Sequence, residues 1–178
     1  MLMVGLNRDP LEKYYTRGII AEKCIATIKN ISNYDIVIEP SAGAGAFLPG
    51  LKKRNIHVMA YDIQPGSHEI IQQDYLKLDI SEFVNKKCLI VGNPPFGRQS
   101  SLAIQFIKYS SFAQTIAFIL PKSFKKSSLQ NRIPHQFHLV NQFDLPPYSF
   151  NVNGTLYDVP CVFQIWEKKE INRKAPVK

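Results

Sequence analysis

Asp35-Ile36-Val37-Ile38-Glu39-Pro40-Ser41-Ala42-Gly43-Ala44-Gly45-Ala46-Phe47 holds the sequence signals that decide the fold. Ile36 to Ile38 is a β-branched run, which predicts a short strand over 35–38 that Glu39-Pro40 brings to a stop. Gly43 and Gly45 let the backbone turn tightly and come close to a ligand, and a helix over 47–54 is expected to follow. A strand that ends in a glycine turn and enters a helix is the opening unit of a βαβ succession.

The same alternation continues outward. Strands are expected at 57–61, near 70–72, at 89–91 and at 115–120, with helical segments at 80–86 and 100–110. In the latter helix Leu102, Ile104, Phe106 and Ile107 carry the apolar face. Residues 137–143 and 159–166 read as a final strand pair joined by a long loop. No repeat or linker divides the chain, so one domain is expected over 1–170, with 171–178 as a basic flexible tail. The expected architecture is α/β, a mostly parallel sheet covered on both faces. Ligands of such sheets lie outside the carboxyl ends of the strands.

Three strand ends therefore matter. The glycine turn is the first. Asp62, 19 residues beyond Gly43, closes the second strand, where an acid can take paired hydrogen bonds from a ribose; it also fits a turn residue before Pro65-Gly66. The third runs from Val91-Gly92 into Asn93-Pro94-Pro95-Phe96-Gly97. Two prolines fix φ and remove two donors, so the carbonyls of Asn93 and Pro94 are expected to stand free as acceptors. The Asn93 side-chain oxygen and the Pro94 carbonyl could then hold an amine whose lone pair is otherwise delocalised into a ring, while Phe96 stacks on that ring. The competing reading is an ordinary Pro-Pro loop.

These residues resemble the amino methyltransferases whose signature is [DNS]-P-P-[YFW], above all those acting on adenine N6 in DNA or RNA. The resemblance covers most of the chain and implies a Rossmann-like class I methyltransferase fold with an antiparallel C-terminal strand. It implies S-adenosylmethionine as cofactor, and Asn93, Pro94, Pro95 and Phe96 as the catalytic group. Glu39, Ser41, Gly43, Gly45 and Phe47 would form the first cofactor motif, Asp62 with Ile63 the ribose site, and Asp74 with Tyr75 the adenine site. Tyr14, Tyr15 and Thr16 resemble the segment that closes over the methionine end. An acid after a strand and a Tyr-Tyr-Thr before a helix serve equally well as structural caps. Relatives with this tetrapeptide methylate guanine N2 or a protein glutamine, and a cofactor-binding subunit that needs a partner is a further alternative.

Two departures from the family pattern stand out. Only 11 residues separate Asp62 from Asp74, too few for a full helix between the second and third strands. There is also no room for a separate target-recognition domain, so target choice would fall to short loops, to a protein partner, or hardly be exercised at all. The candidate loops are 97–101, 122–136 and 144–160, the last carrying Tyr148, Phe150 and Tyr157.

Charge points the same way. Residues 1–97 hold 11 Lys or Arg against 10 Asp or Glu, whereas residues 98–178 hold 11 against 4. Lys122, Lys125, Lys126 and Arg132 in that second half would suit an anionic polymer, or form a solvated face. Tyr148 and Phe150 beside them would stack bases, or cover the sheet. Cys24, Cys88 and Cys161 are odd in number and widely spaced, so neither a disulfide framework nor a metal site is expected. No apolar run approaches the roughly 18 residues of a membrane span, and the chain reads as a cytoplasmic protein whose partner is nucleic acid.

Overall fold

The computed structural model describes residues 14–174 and the backbone of Met3–Val4. Met3–Val4 is β1 and Tyr15–Thr16 is β2, followed by helix α1 over Gly18–Ala26. Ile20, Ala21, Cys24 and Ile25 form the buried stripe of α1, at the three-to-four-residue spacing that puts side chains on one face. β3 is Ile36–Glu39, and all four of its residues are buried. The helix after the glycine turn, α2, spans only Leu48–Lys52, shorter than expected at both ends. Asn55, with φ of 56°, turns the chain out of it. Glu22 on α1 takes Arg54 at 2.7 Å and Lys53 at 2.9 Å, which clamps the two helices together.

β4 is Val58–Asp62 and β5 is Ile71–Gln72. As the short spacing implied, no helix joins them, and Val58 and Met59 are only half-buried. The helix expected at 80–86 is absent. Phe83 N donates to Ile80 O and Lys86 N to Phe83 O, so this segment is a pair of successive turns. Phe83 is nevertheless buried and stacks on Phe112, centroids 6.4 Å apart. The apolar spacing that looked helical comes from Phe83 and the half-buried Ile80, both packed against the core from turns.

β6 is Cys88–Gly92, α3 is Ser101–Tyr109 and β7 is Thr115–Pro121. Successive strand residues point to opposite faces. Because every residue of β6 and all of β7 up to Leu120 are buried, both faces of the sheet are covered there. After a single helical turn, α4 at Ser127–Gln130, come β8 (Phe137–Asp144), β9 (Phe150–Val152), β10 (Thr155–Asp158) and β11 (Cys161–Lys168).

The seven-stranded central sheet has the order β5-β4-β3-β6-β7-β11-β8. Its first five strands run parallel, and β11 lies antiparallel between β7 and β8. The two expected final strands therefore do pair, with a bulge at Ile165/Trp166. A second sheet of order β1-β10-β9-β2 was not foreseen. It turns part of the expected 144–160 loop into a hairpin and buries Phe150 completely. Phe150 is thus a core residue, and its expected role in stacking bases is withdrawn.

The flexible tail also needs correction. The Arg173 guanidinium donates to the carbonyls of Gln130, Pro134, Phe137 and Ile133 and lies 5.2 Å from the Trp166 ring. His138 bonds the Ile171 carbonyl at 2.6 Å. Residues 171–173 are docked on the 130–138 segment by these bonds; residues 175–178 lie outside the described part. No helix among the described residues is long and apolar enough to cross a membrane.

Candidate active site

The carboxyl ends of β3, β4, β6 and β7 open on one cleft of about 1170 Å³. Tyr14, Tyr15, Thr16, Glu39, Ser41, Gly43, Phe47, Asp62, Ile63, Tyr75 and Asn93 to Phe96 all line it. Gly45 and Asp74 do not. Gly45, with φ of 90°, shapes the turn behind the wall. Asp74 accepts from Leu76 N at 3.0 Å as the cap of a short helical turn, so the capping alternative describes the geometry here.

The glycine turn is held from both sides. Gly43 N donates to Asp62 Oδ2 and Gln64 N to Asp62 Oδ1, each at 2.8 Å. Gly66 N donates to Gly43 O at 2.9 Å. Gly43 has φ of 57°, and a Cβ there would lie 3.0 Å from the Tyr15 ring. Glycine is favoured both by the left-handed backbone and by the tight approach of the Tyr15 ring. The Asp62 carboxylate therefore anchors the turn as well as facing the cleft.

Glu39 is 1% exposed, and its Oε2 has no hydrogen-bond partner among the described residues. Burial, and then the nearby Asp62 charge, push its carboxyl well above the ordinary range. Gly92, next to the tetrapeptide, has φ of 151°, and a Cβ there would come within 3.3 Å of Glu39 Cγ. The β6 backbone thus passes directly against this acid.

The tetrapeptide itself departs from expectation in one respect. The Asn93 carbonyl is engaged, since Ser41 Oγ donates to it at 3.0 Å. The prolines spare it from strand pairing, but the glycine turn uses it as a tie. The Asn93 side chain has the opposite arrangement. Nδ2 donates to Tyr14 O at 3.3 Å and to Thr16 Oγ1 at 3.2 Å, while Oδ1 is buried with no partner among the described residues. No described donor reaches the Pro94 carbonyl. Asn93 Oδ1 is thus a buried acceptor without a described partner, and Asn93, Pro94 and Phe96 line the same cleft. The Phe96 carbonyl takes Leu102 N at 3.1 Å and Ala103 N at 3.2 Å, fixing the motif to the start of α3.

Several cleft residues read from sequence only as part of a helix and not as site residues. Leu102, Gln105 and Phe106 line the wall from α3, and their spacing of three and four is visible only once that helix is placed beside the tetrapeptide. Among the basic candidates, Lys122 reaches the cleft, but it pairs with Asp144 at 3.6 Å, as Lys125 does at 2.8 Å. Lys125, Lys126, Arg132 and Tyr148 do not line the cleft. Tyr148 is half-buried, and its carbonyl accepts from Arg17 at 3.2 Å.

No family model matches the chain. A segment of 114 residues is 32% identical to Ribosomal RNA small subunit methyltransferase A of Francisella tularensis subsp. novicida, covering 55% of this chain and 44% of the relative. The chain thus spans less than half the length of the curated relatives it matches. Among solved structures, PH1948 of Pyrococcus horikoshii, a proposed RNA methyltransferase, superimposes with a TM-score of 0.66 at 15% identity, over 94% of this chain and 92% of that one. The methyltransferase subunit of a type I restriction-modification system from Streptococcus thermophilus gives 0.62 at 12% identity, over 90% of this chain and 46% of that one. The strand order, the reversed β11 and these superpositions identify the architecture as the class I methyltransferase fold.

Proposed function

We propose that this chain transfers a methyl group from S-adenosylmethionine to an exocyclic amine of a nucleic-acid base, adenine N6 foremost. The observation that carries this reading is the unpartnered Asn93 Oδ1 beside the open Pro94 carbonyl. A buried polar atom with no partner is costly, at about 1–3 kcal/mol, and a donating substrate relieves that cost. The Francisella relative is named a ribosomal RNA methyltransferase, which favours RNA as the polymer. Target selection would come from short loops or from a protein partner.

The cleft suits the cofactor. Gly43 leaves room for close backbone approach, Asp62 offers a carboxylate, and Phe47, Ile63 and Tyr75 give apolar surface. S-adenosylmethionine, when bound, supplies an electrophilic methyl group on its sulfonium. The protein does the rest by orientation. Asn93 Oδ1 and Pro94 O would accept hydrogen bonds from the two amine N–H groups and withdraw the lone pair from conjugation with the ring, localising it on nitrogen toward the methyl group, and Phe96 would pack against the base. The same acceptors stabilise the positive charge that grows on nitrogen during attack. One proton then leaves to water.

Mass spectrometry of nucleosides digested from RNA and DNA treated with the protein and labelled cofactor tests this reading. N6-methylated adenine is the expected product. Label found only in protein glutamine, or in no polymer, overturns it.

A further inference from the structure

We infer that Thr16, with the backbone carbonyl of Tyr14, sets which end of the Asn93 amide faces the substrate. This rests on the proposed role of Asn93 and goes beyond it by naming the positioning residue. The two ends of an amide have nearly the same shape, yet only the oxygen can accept from an amine. With the amide turned over, its N–H groups would face the amine's hydrogens and repel them.

The surroundings decide between the two orientations. A backbone carbonyl can only accept, so the atom 3.3 Å from Tyr14 O has to be Nδ2. Thr16 Oγ1, 3.2 Å away, takes the other amide proton. Both protons are then used, and Oδ1 is the end left without a partner. Thr16 is only 8% exposed, so water does not readily replace its hydroxyl.

Thr16 is itself held from outside the central sheet. Tyr15 and Thr16 pair with Asn151 and Phe150 of β9, and Arg17 N donates to Ser149 O at 3.0 Å. The Tyr14 ring meets the Tyr157 ring edge-on at 5.2 Å. The small second sheet therefore braces the catalytic amide. Thr16, which the family resemblance assigns to the methionine end of the cofactor, lines the cleft and also bonds Asn93.

Thr16→Val keeps the shape and removes the acceptor. Its kcat on the methylated polymer is expected to fall about 10- to 100-fold, with the KM for S-adenosylmethionine unchanged and Thr16→Ser restoring the rate. Adding Thr16→Val to Asn93→Ala should cause no further loss. Wild-type kcat in Thr16→Val, or a raised cofactor KM with unchanged kcat, overturns the inference. Wild-type turnover in Asn93→Ala instead overturns the base-amine mechanism itself. A readout that needs neither turnover nor a folded variant is hydrogen exchange of the Asn93 side-chain amide in 15N-labelled wild-type protein. Slow exchange is expected, and exchange as fast as in a free asparagine rejects the proposed bonds.

Discussion

Ser41 and Asn93, 52 residues apart in sequence, are joined by a 3.0 Å hydrogen bond from the serine hydroxyl to the asparagine carbonyl. Through it the glycine turn after β3 and the tetrapeptide after β6 act as one wall. Ser41→Ala leaves that carbonyl without its donor and should cost about 1 kcal/mol of stability. It should also lower turnover, because the acceptor pair loses its tie to the cofactor side of the cleft. Urea unfolding and steady-state kinetics on one preparation check both effects.

Glu39 gives a pH dependence of defined sign. Its carboxyl titrates well above the ordinary 4.5 in the folded chain, because burial and the Asp62 charge disfavour ionisation. Below pH 4.5 the group is neutral whether the chain is folded or not. As pH rises from there, the unfolded chain gives up its proton and the folded one resists, so stability is lost until Glu39 itself ionises. Glu39→Gln escapes this loss. The melting temperature of Glu39→Gln should match wild type below pH 4.5 and exceed it increasingly toward neutral pH. A gap of the opposite sign would show an ionised, paired Glu39.

Gly97 follows Phe96 and has φ of 72°, and a Cβ there would meet Leu102 Cβ and Cγ at 2.8 Å and Leu102 N at 2.9 Å. Gln99 and Ser100, next along the cleft wall, are also left-handed, with φ of 52° and 63°. This stretch is already strained, so Gly97→Ala has no relaxed alternative nearby. It should destabilise by about 1–3 kcal/mol and displace Phe96, raising the KM for the polymer. Thermal unfolding and substrate titration would reveal this.

Arg173→Ala should destabilise by about 2 kcal/mol, because the guanidinium serves four carbonyls and covers Trp166. A frayed tail would make the substitution silent. Chemical denaturation followed by Trp166 fluorescence separates the two outcomes.

The parallel half of the fold was legible because its signals are local. Ile36-Val37-Ile38 before Glu39-Pro40, and Leu89-Ile90-Val91 before the double proline, each combine a buried strand with a stop. The features that escaped are non-local. Phe150 reads as a loop aromatic until β2 and β10 flank its strand, and Arg173 reads as tail charge until carbonyls 36 to 43 residues away converge on it. The segment 80–86 misled for another reason: Ile80 and Phe83 have helical spacing, but only turns of three residues form. At the site, the residue types were readable, whereas the use of each oxygen was not. Nothing in Asn93-Pro94-Pro95-Phe96 says that Ser41 occupies one acceptor while Tyr14 and Thr16 orient another.

The place of β11 has a consequence for how the chain reaches this structure. Among the described strands, β8 pairs with β11 alone and the outer edge of β7 is closed by β11 alone, which is made after both. While residues 161–168 are still within the ribosome, two strand edges stand open, with the buried row of β7 beside one of them. Such edges invite pairing with other chains. Long-range insertion of a middle strand is also slow compared with local helix formation. The last strand is therefore the latch of the sheet, and β11 substitutions such as Gln164→Pro should lower soluble yield during synthesis more than equivalent changes in β5.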